Sequence, residues 1–131
     1  MADELKQIMF VDDDEDIREI ANIALSSIGG FSVTMCGSGE EALQKVSETK
    51  PQLIILDVMM PGMDGPATFK QLQLMPEVAK IPVLFITAKV RVNEVASYKA
   101  MGVFDVIAKP FDPMILSETL LTLWKRINIT T

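Results

Sequence analysis

The chain contains no histidine, one cysteine, one tryptophan and one tyrosine among its 131 residues. A lone cysteine cannot close an internal disulfide, and without a second cysteine or any histidine there is no donor set for a zinc site. Cys36 is therefore read as a small core or strand-end residue, and its solitude fits a reducing, cytoplasmic setting. No apolar run approaches the length needed to cross a bilayer. The opening Met1-Ala2-Asp3-Glu4-Leu5-Lys6 lacks the apolar stretch of a secretory signal. Positive charge is scarce too: 12 Lys and Arg stand against 18 Asp and Glu, a formal balance of −6, and no basic cluster interrupts it. That balance argues against nucleic acid or an anionic membrane as a partner held by bulk electrostatics. Repeats, low-complexity stretches and a linker are absent as well. The expectation is one domain over residues 1–131 with no attached effector.

What is present is an ordinary globular composition, 49% hydrophobic and 23% charged, arranged in a regular alternation. Strand-like runs at residues 8–11, 32–36, 52–56, 82–86 and 103–108 are separated by helical patterns, which predicts an α/β fold with a parallel sheet. The first, third and fourth runs are continuously apolar and should lie centrally. The second alternates apolar and polar, and the fifth carries Asp105, as edge strands do. Helix punctuation agrees with this. Ile17, Ile20, Ala21, Ala24 and Ile28 make one apolar stripe ended by Gly29-Gly30. Ser38-Gly39-Glu40-Glu41 reads as a capping box. Asp64-Gly65-Pro66 and Asp112-Pro113 each place an acidic cap at or near an early helical proline. The stretch 91–101 is a weaker helix closed by Gly102. A last helix shows Ile115, Leu116, Thr119, Leu120, Leu123, Trp124 and Ile127 as its apolar face.

Right-handed crossovers bring the carboxyl ends of all parallel strands to one edge of a sheet, where ligands bind. Asp12, Asp13, Asp57, Thr87 and Lys109 each follow a strand-like run, so they converge there. Each has a bland reading alone: Asp57 as a turn or cap residue, the Asp12–Asp16 run as a solvated helix start, Thr87 as a turn hydroxyl, Lys109 as a surface charge. Their joint placement favours a site. Clustered carboxylates repel by about 4 kcal/mol per pair at 4 Å and an effective dielectric near 20. They must therefore take up protons or hold a cation. Oxygen ligands alone point to Mg²⁺. A metal, a lysine and a hydroxyl around one carboxylate suit a bound phosphoryl group. Asp14 is read differently, as the cap of the first helix.

The segments Phe10-Val11-Asp12-Asp13-Asp14, Leu56-Asp57-Val58-Met59-Met60-Pro61-Gly62-Met63-Asp64-Gly65, Ile86-Thr87-Ala88 and Lys109-Pro110-Phe111 resemble the receiver domains of bacterial two-component response regulators. The resemblance covers essentially the whole chain. It implies a doubly wound, flavodoxin-like (βα)5 domain with a five-stranded sheet in the order 2-1-3-4-5. It also implies that Asp57 accepts a phosphoryl group from a sensor histidine kinase or phosphotransfer protein. Asp13 and Asp57 would ligate Mg²⁺ with the backbone carbonyl of Met59, and Asp12 would act mainly through metal-bound water. Lys109 would pair with the phosphoryl oxygens, Thr87 would move to hydrogen-bond them, and the Lys109-Pro110 bond would be cis. A downstream protein would be engaged through the fourth helix, fifth strand and fifth helix, with Trp124 or Tyr98 as an anchor or simply as helix packing.

The chain departs from the family pattern at Val106, where an aromatic often stands three residues before the lysine. Tyr98 is nearby in sequence, but nothing in the sequence makes it the substitute. Met59 and Lys89 occupy variable positions facing the phosphoryl group. Two other classes fit less well. A phosphatase or phosphotransferase of the haloacid-dehalogenase type wants a second acid two residues after its nucleophile, where this chain has Met59. A flavin-binding module needs a hydroxyl- and glycine-rich loop after the first strand, where this chain has three acids. A receiver used only for docking would not need the intact acid, Thr and Lys set. The reading is a signalling switch that catalyses only its own phosphorylation and slow dephosphorylation.

Overall fold

Five short apolar strands form one parallel sheet in a computed structural model that describes residues 4–130. Residues 1–3, part of the opening segment considered above, lie outside the described residues. In chain order the elements are β1 (Gln7–Val11), α1 (Glu15–Asn22) continued by a π-helical turn (Ile23–Ile28), β2 (Ser32–Cys36), α2 (Gly39–Thr49), β3 (Leu53–Asp57), α3 (Gly65–Gln73), β4 (Val83–Thr87), α4 (Val92–Met101), β5 (Asp105–Ala108) and α5 (Leu116–Thr130). The strand order is β2-β1-β3-β4-β5 with every pairing parallel, the doubly wound arrangement expected from the resemblance. The continuously apolar β3 and β4 are buried throughout, whereas β2 and β5 at the edges are only partly covered.

Two cores lie on the two faces of the sheet. One joins Phe10, Leu53, Ile55, Leu84 and Ile86 to Ala21, Ala24 and Leu25 and to Leu116, Leu120, Leu123 and Ile127 of α5. The other joins Met9, Val11, Ile54, Leu56 and Phe85 to Ala42 and Val46 of α2 and to Phe69 and Leu72 of α3. Alternate residues of each central strand point to opposite faces, so a continuous apolar run feeds both layers.

Several local expectations are revised. Strands 3 and 4 begin and end one residue later than the apolar pattern suggests, and β5 is shorter, starting at Asp105. Gln52 stands outside β3, where its Oε1 accepts from the N–H groups of Lys6 and Gln7 and its Nε2 donates to the Glu4 carbonyl. The stripe drawn along the first helix is only partly right, because Ile20 and Ile28 are exposed and Leu25 is buried instead. For Leu25 and Ile28 the cause is the π-helical turn. The Gly29 N–H reaches back five residues to the Ala24 carbonyl, so the 3.6-residue period fails beyond Asn22. Asp112 accepts from the Met114 N–H across a separate turn, and α5 itself starts at Leu116, leaving Ile115 exposed. The capping box at α2 is incomplete: Ser38 Oγ accepts from the Glu41 N–H, but the Glu41 carboxylate takes the N–H of Gly37 rather than that of Ser38.

One glycine is demanded by close approach. α3 starts directly behind the end of β3, and a Cβ on Gly65 would run into the Asp57 carbonyl and lie 2.8 Å from Val58 Cα. The entry to α3 is thereby pressed against the residue on which the site is built.

Candidate phosphoryl and cation site

The register of the sheet brings the polar residues together. Val11 is level with Leu56, Asp57 with Ile86, and Thr87 with Ala108, so Asp12, Asp57, Thr87 and Lys109 all emerge within about a residue of one edge. Asp12, Asp57 and Thr87 are buried, Lys109 is half-buried, and Asp13 is exposed. With Asp14, Met59, Ala88 and Lys89 they line a cavity of about 310 Å³. All the residues singled out from the sequence for this site are here, and the Lys109-Pro110 peptide is cis. Asp14 behaves as the helix cap, its Oδ1 accepting from the N–H groups of Asp16 and Ile17.

Lys109 Nζ lies 2.7 Å from Asp12 Oδ2 and 3.2 Å from Asp57 Oδ1, a cation shared by two buried carboxylates. Burial pushes the Asp57 carboxyl up to about 6, the Asp12 charge adds to the rise, and Lys109 and the Met59 N–H work against it. Burial also works against the charge on Lys109, but the hydrogen bond and charges of the two aspartates outweigh it, and its pKa is raised. Thr87 Oγ1 accepts from the Lys89 N–H at 3.1 Å, which leaves its own proton available to the cavity.

The rest of Asp12 is held on every side. Its N–H donates to the Cys36 carbonyl at 3.0 Å, its Oδ1 accepts from the Asp14 N–H at 2.9 Å, and its carbonyl accepts from Arg18 Nη1 at 2.8 Å. Oδ2 faces the Lys109 ammonium, 2.7 Å away, as a buried ion pair. A buried carboxylate oxygen is costly unless a cation sits against it, and Lys109 fills that role here. One oxygen each from Asp12, Asp13 and Asp57 lies within 4.8 Å of the others. Three hard oxygen donors at that spacing, with solvent reaching Asp13, fit Mg²⁺.

Two neighbours, Arg18 and Tyr98, were not legible as site residues. Arg18 lies beyond the acidic run, and its guanidinium reaches back over a turn of helix to the Asp12 main chain. Tyr98 sets its ring edge-on to Phe85, with centroids 5.2 Å apart, and Phe85 is level with Val106 in β5. Tyr98 also borders a groove of about 450 Å³ with Val58, Met59, Met60, Pro61, Asp64 and Lys89, beside the acid cavity. Cys36 is fully buried, and its thiol is pushed up to about 11, chiefly by burial, so it acts as packing. Trp124 is half-buried against the core on the α5 side of the sheet.

A parallel sheet in this order, with acids, hydroxyl and amine gathered on its carboxyl edge, is the arrangement of a receiver domain. The family model described as the response regulator receiver domain matches residues 8–121, and the chain belongs to that family. It is 35% identical over 124 residues to the alkaline phosphatase synthesis transcriptional regulatory protein PhoP of Bacillus subtilis, covering 95% of this chain and 50% of that protein. A probable transcriptional regulator, ycf27, of Cyanophora paradoxa is 36% identical over 121 residues, covering 92% and 49%. Among solved structures, chemotaxis protein CheY4 of Vibrio cholerae superposes with a TM-score of 0.83 at 29% identity, covering 92% of this chain and 99% of that one. A response regulator from Desulfuromonas acetoxidans gives 0.82 at 34% identity, covering 93% and 98%. The chain spans about half the length of the curated relatives it matches. It is a signalling receiver domain of the two-component kind. No helix among the described residues is long and apolar enough to cross a membrane.

Proposed function

We propose that Asp57 is the phosphoacceptor of this domain and that its phosphorylation alters affinity for a partner protein. The observation that carries the reading is the Lys109 ammonium between Asp12 and Asp57, at 2.7 and 3.2 Å, in a cavity that Asp13 and Thr87 also line. An Asp57 carboxylate oxygen forms a bond to phosphorus as the N–P bond of a phosphohistidine breaks and the electron pair returns to the imidazole. The donor is a sensor histidine kinase or a phosphotransfer protein. Lys109 moves from the carboxylate to the new phosphoryl oxygens, a shift of one short hydrogen bond, and neutralises the charge that accumulates there. The Thr87 hydroxyl donates to the same oxygens, and its turn toward them is the first step of the switch. Asp13, Asp57 and the Met59 carbonyl would hold Mg²⁺, with Asp12 acting through a metal-bound water, and the ion would supply charge neutralisation for the transferring group.

The output surface is the face made by α4, β5 and α5, next to the Thr87 and Lys109 strand ends. Its target is a protein. The net charge of −6 argues against nucleic acid or an anionic membrane as a partner held by bulk electrostatics. The transcriptional regulators among its relatives are about twice as long as the segment matched here. The reading also carries slow self-dephosphorylation and a cytoplasmic setting, which the single buried cysteine suits. Incubation with a small acyl phosphate, with and without Mg²⁺, tests the chemistry by intact mass. One phosphoryl group should be added only with the metal. Equal labelling without it would remove the role given to the acidic oxygens.

A further inference from the structure

We propose that Arg18 is a positioning residue for the cation at the acid cavity, holding the Asp12 main chain so that Asp12 Oδ2 stays turned toward the ion. This rests on the reading of Asp12, Asp13 and Asp57 as a cation site. The Asp12 backbone is fixed at two points: its N–H bonds to the Cys36 carbonyl, and its carbonyl accepts from Arg18 Nη1 at 2.8 Å. The first bond belongs to the pairing of β1 with β2. The second is a side-chain bond to the Asp12 main chain, and it crosses from α1 back over the loop that carries Asp12 and Asp13. With both in place, and Oδ1 on the Asp14 N–H, Oδ2 is the only Asp12 oxygen left for a metal-bound water or for Lys109.

The opposite wall of the arginine is shaped for it. A Cβ on Gly37 would lie 3.2 Å from Arg18 Nη1, so the absence of a side chain there gives the guanidinium its room. The Gly37 N–H is itself held by Glu41 Oε1 at 2.6 Å, and Lys45 pairs with Glu41 at 2.7 Å. The loop between β2 and α2 is thus tied down and serves as a backstop. A half-buried guanidinium bonded to a carbonyl rather than to a carboxylate leaves the negative charge of the cavity intact for the cation. Two effects oppose each other. Like charge repels the incoming ion, while a fixed loop spares the ion the cost of ordering its ligands. Partners that orient metal ligands typically contribute 10–100-fold in affinity, and a charge whose nearest bond is to the outer side of the loop is screened by solvent. Ordering wins.

The test is Mg²⁺ affinity by calorimetry on the full chain as wild type, Arg18→Met, Arg18→Lys and Gly37→Ala, each with a urea midpoint. Arg18→Met should weaken Mg²⁺ binding about tenfold, and Arg18→Lys should recover part of it. Gly37→Ala, which crowds the guanidinium without removing it, should fall between. Acyl-phosphate labelling of Arg18→Met should need more Mg²⁺ for its half-maximal rate and reach the wild-type rate at saturation. Unchanged or tighter Mg²⁺ binding in Arg18→Met would show that charge repulsion prevails, and it overturns the inference. So does a loss that only tracks a lower urea midpoint and is not rescued by lysine. Failure of wild type itself to bind Mg²⁺ overturns the cation site and this inference with it, an outcome distinct from the other two.

Discussion

The two helices that flank β5 are attached to the sheet by different means. α5 buries Leu116, Leu120, Leu123 and Ile127 in the core shared with β1, β3 and β4, and Ser117 Oγ donates to the Ala24 carbonyl at 2.8 Å. α4 buries no residue. It is held by the partly buried Tyr98 and Met101, which pack against the core with the Tyr98 ring on Phe85, together with Lys99, which lies 3.5 Å from Asp105, while Arg126 of α5 lies 3.6 Å from the same carboxylate. Four apolar side chains of that size are worth about 1.5–3 kcal/mol each when fully buried, whereas exposed ion pairs contribute about 0–1 kcal/mol. The difference places the easily displaced element beside Thr87 and the fixed one behind it. A small change at the strand ends can therefore move α4 without disturbing the core.

The largest effect expected is on the fixed side. Leu120→Ala should cost about 2–5 kcal/mol of stability, read from urea unfolding. A loss under 1 kcal/mol would mean that α5 is as loosely held as α4, and the contrast would collapse. Next comes the site between them. The Asp57 carboxyl titrates near 6 in the folded chain against an ordinary 3.8. Its stabilising contribution is therefore complete below about 3.8 and is lost as pH rises through about 6. At pH 7 without divalent metal the charged group costs up to about 3 kcal/mol, and Asp57→Asn should raise stability by roughly 1–3 kcal/mol. Added Mg²⁺ should narrow the gap by stabilising wild type. If Asp57→Asn proves less stable than wild type at pH 7, the Lys109 pair outweighs burial and repulsion.

A smaller effect is expected from the ring that holds α4. Tyr98→Ala should cost about 1–2 kcal/mol, and amide exchange should speed up in α4 while α5 stays protected. Equal acceleration in both helices would show that they open together. The smallest change belongs to the ion pairs: Asp105→Asn should stay within about 1 kcal/mol and should lose most of its effect in high salt. Salt-insensitive destabilisation would instead point to the Asp105 Oδ1 bond to the Val106 N–H.

How legible this was depended on the kind of signal. The sheet could be read because continuous apolar runs in β1, β3 and β4 differ visibly from the mixed β2 and β5. Asp12, Asp13, Asp57, Thr87 and Lys109 could be placed on one edge because parallel strands share a direction. The π-helical turn was hidden, since one extra residue per turn leaves composition unchanged and only moves Ile28 outward and Leu25 inward. Gln52 and Arg18 were hidden for another reason. Each is a long polar side chain whose partner is a main-chain atom, and a backbone carbonyl leaves no trace in the residue types around it. Tyr98 follows the same rule, because its role is set by the shape of the space between Phe85 and the loop at Met59.

The central claim is that Asp57 is the residue that carries the phosphoryl group. It is tested most directly by labelling wild type with a small acyl phosphate and Mg²⁺, trapping with borohydride, and mapping peptides by mass spectrometry. An aspartyl phosphate is reduced to homoserine, so the account predicts homoserine at position 57 alone and none in Asp57→Asn. Homoserine at position 12 or 13, or equal phosphate uptake by Asp57→Asn, would contradict it.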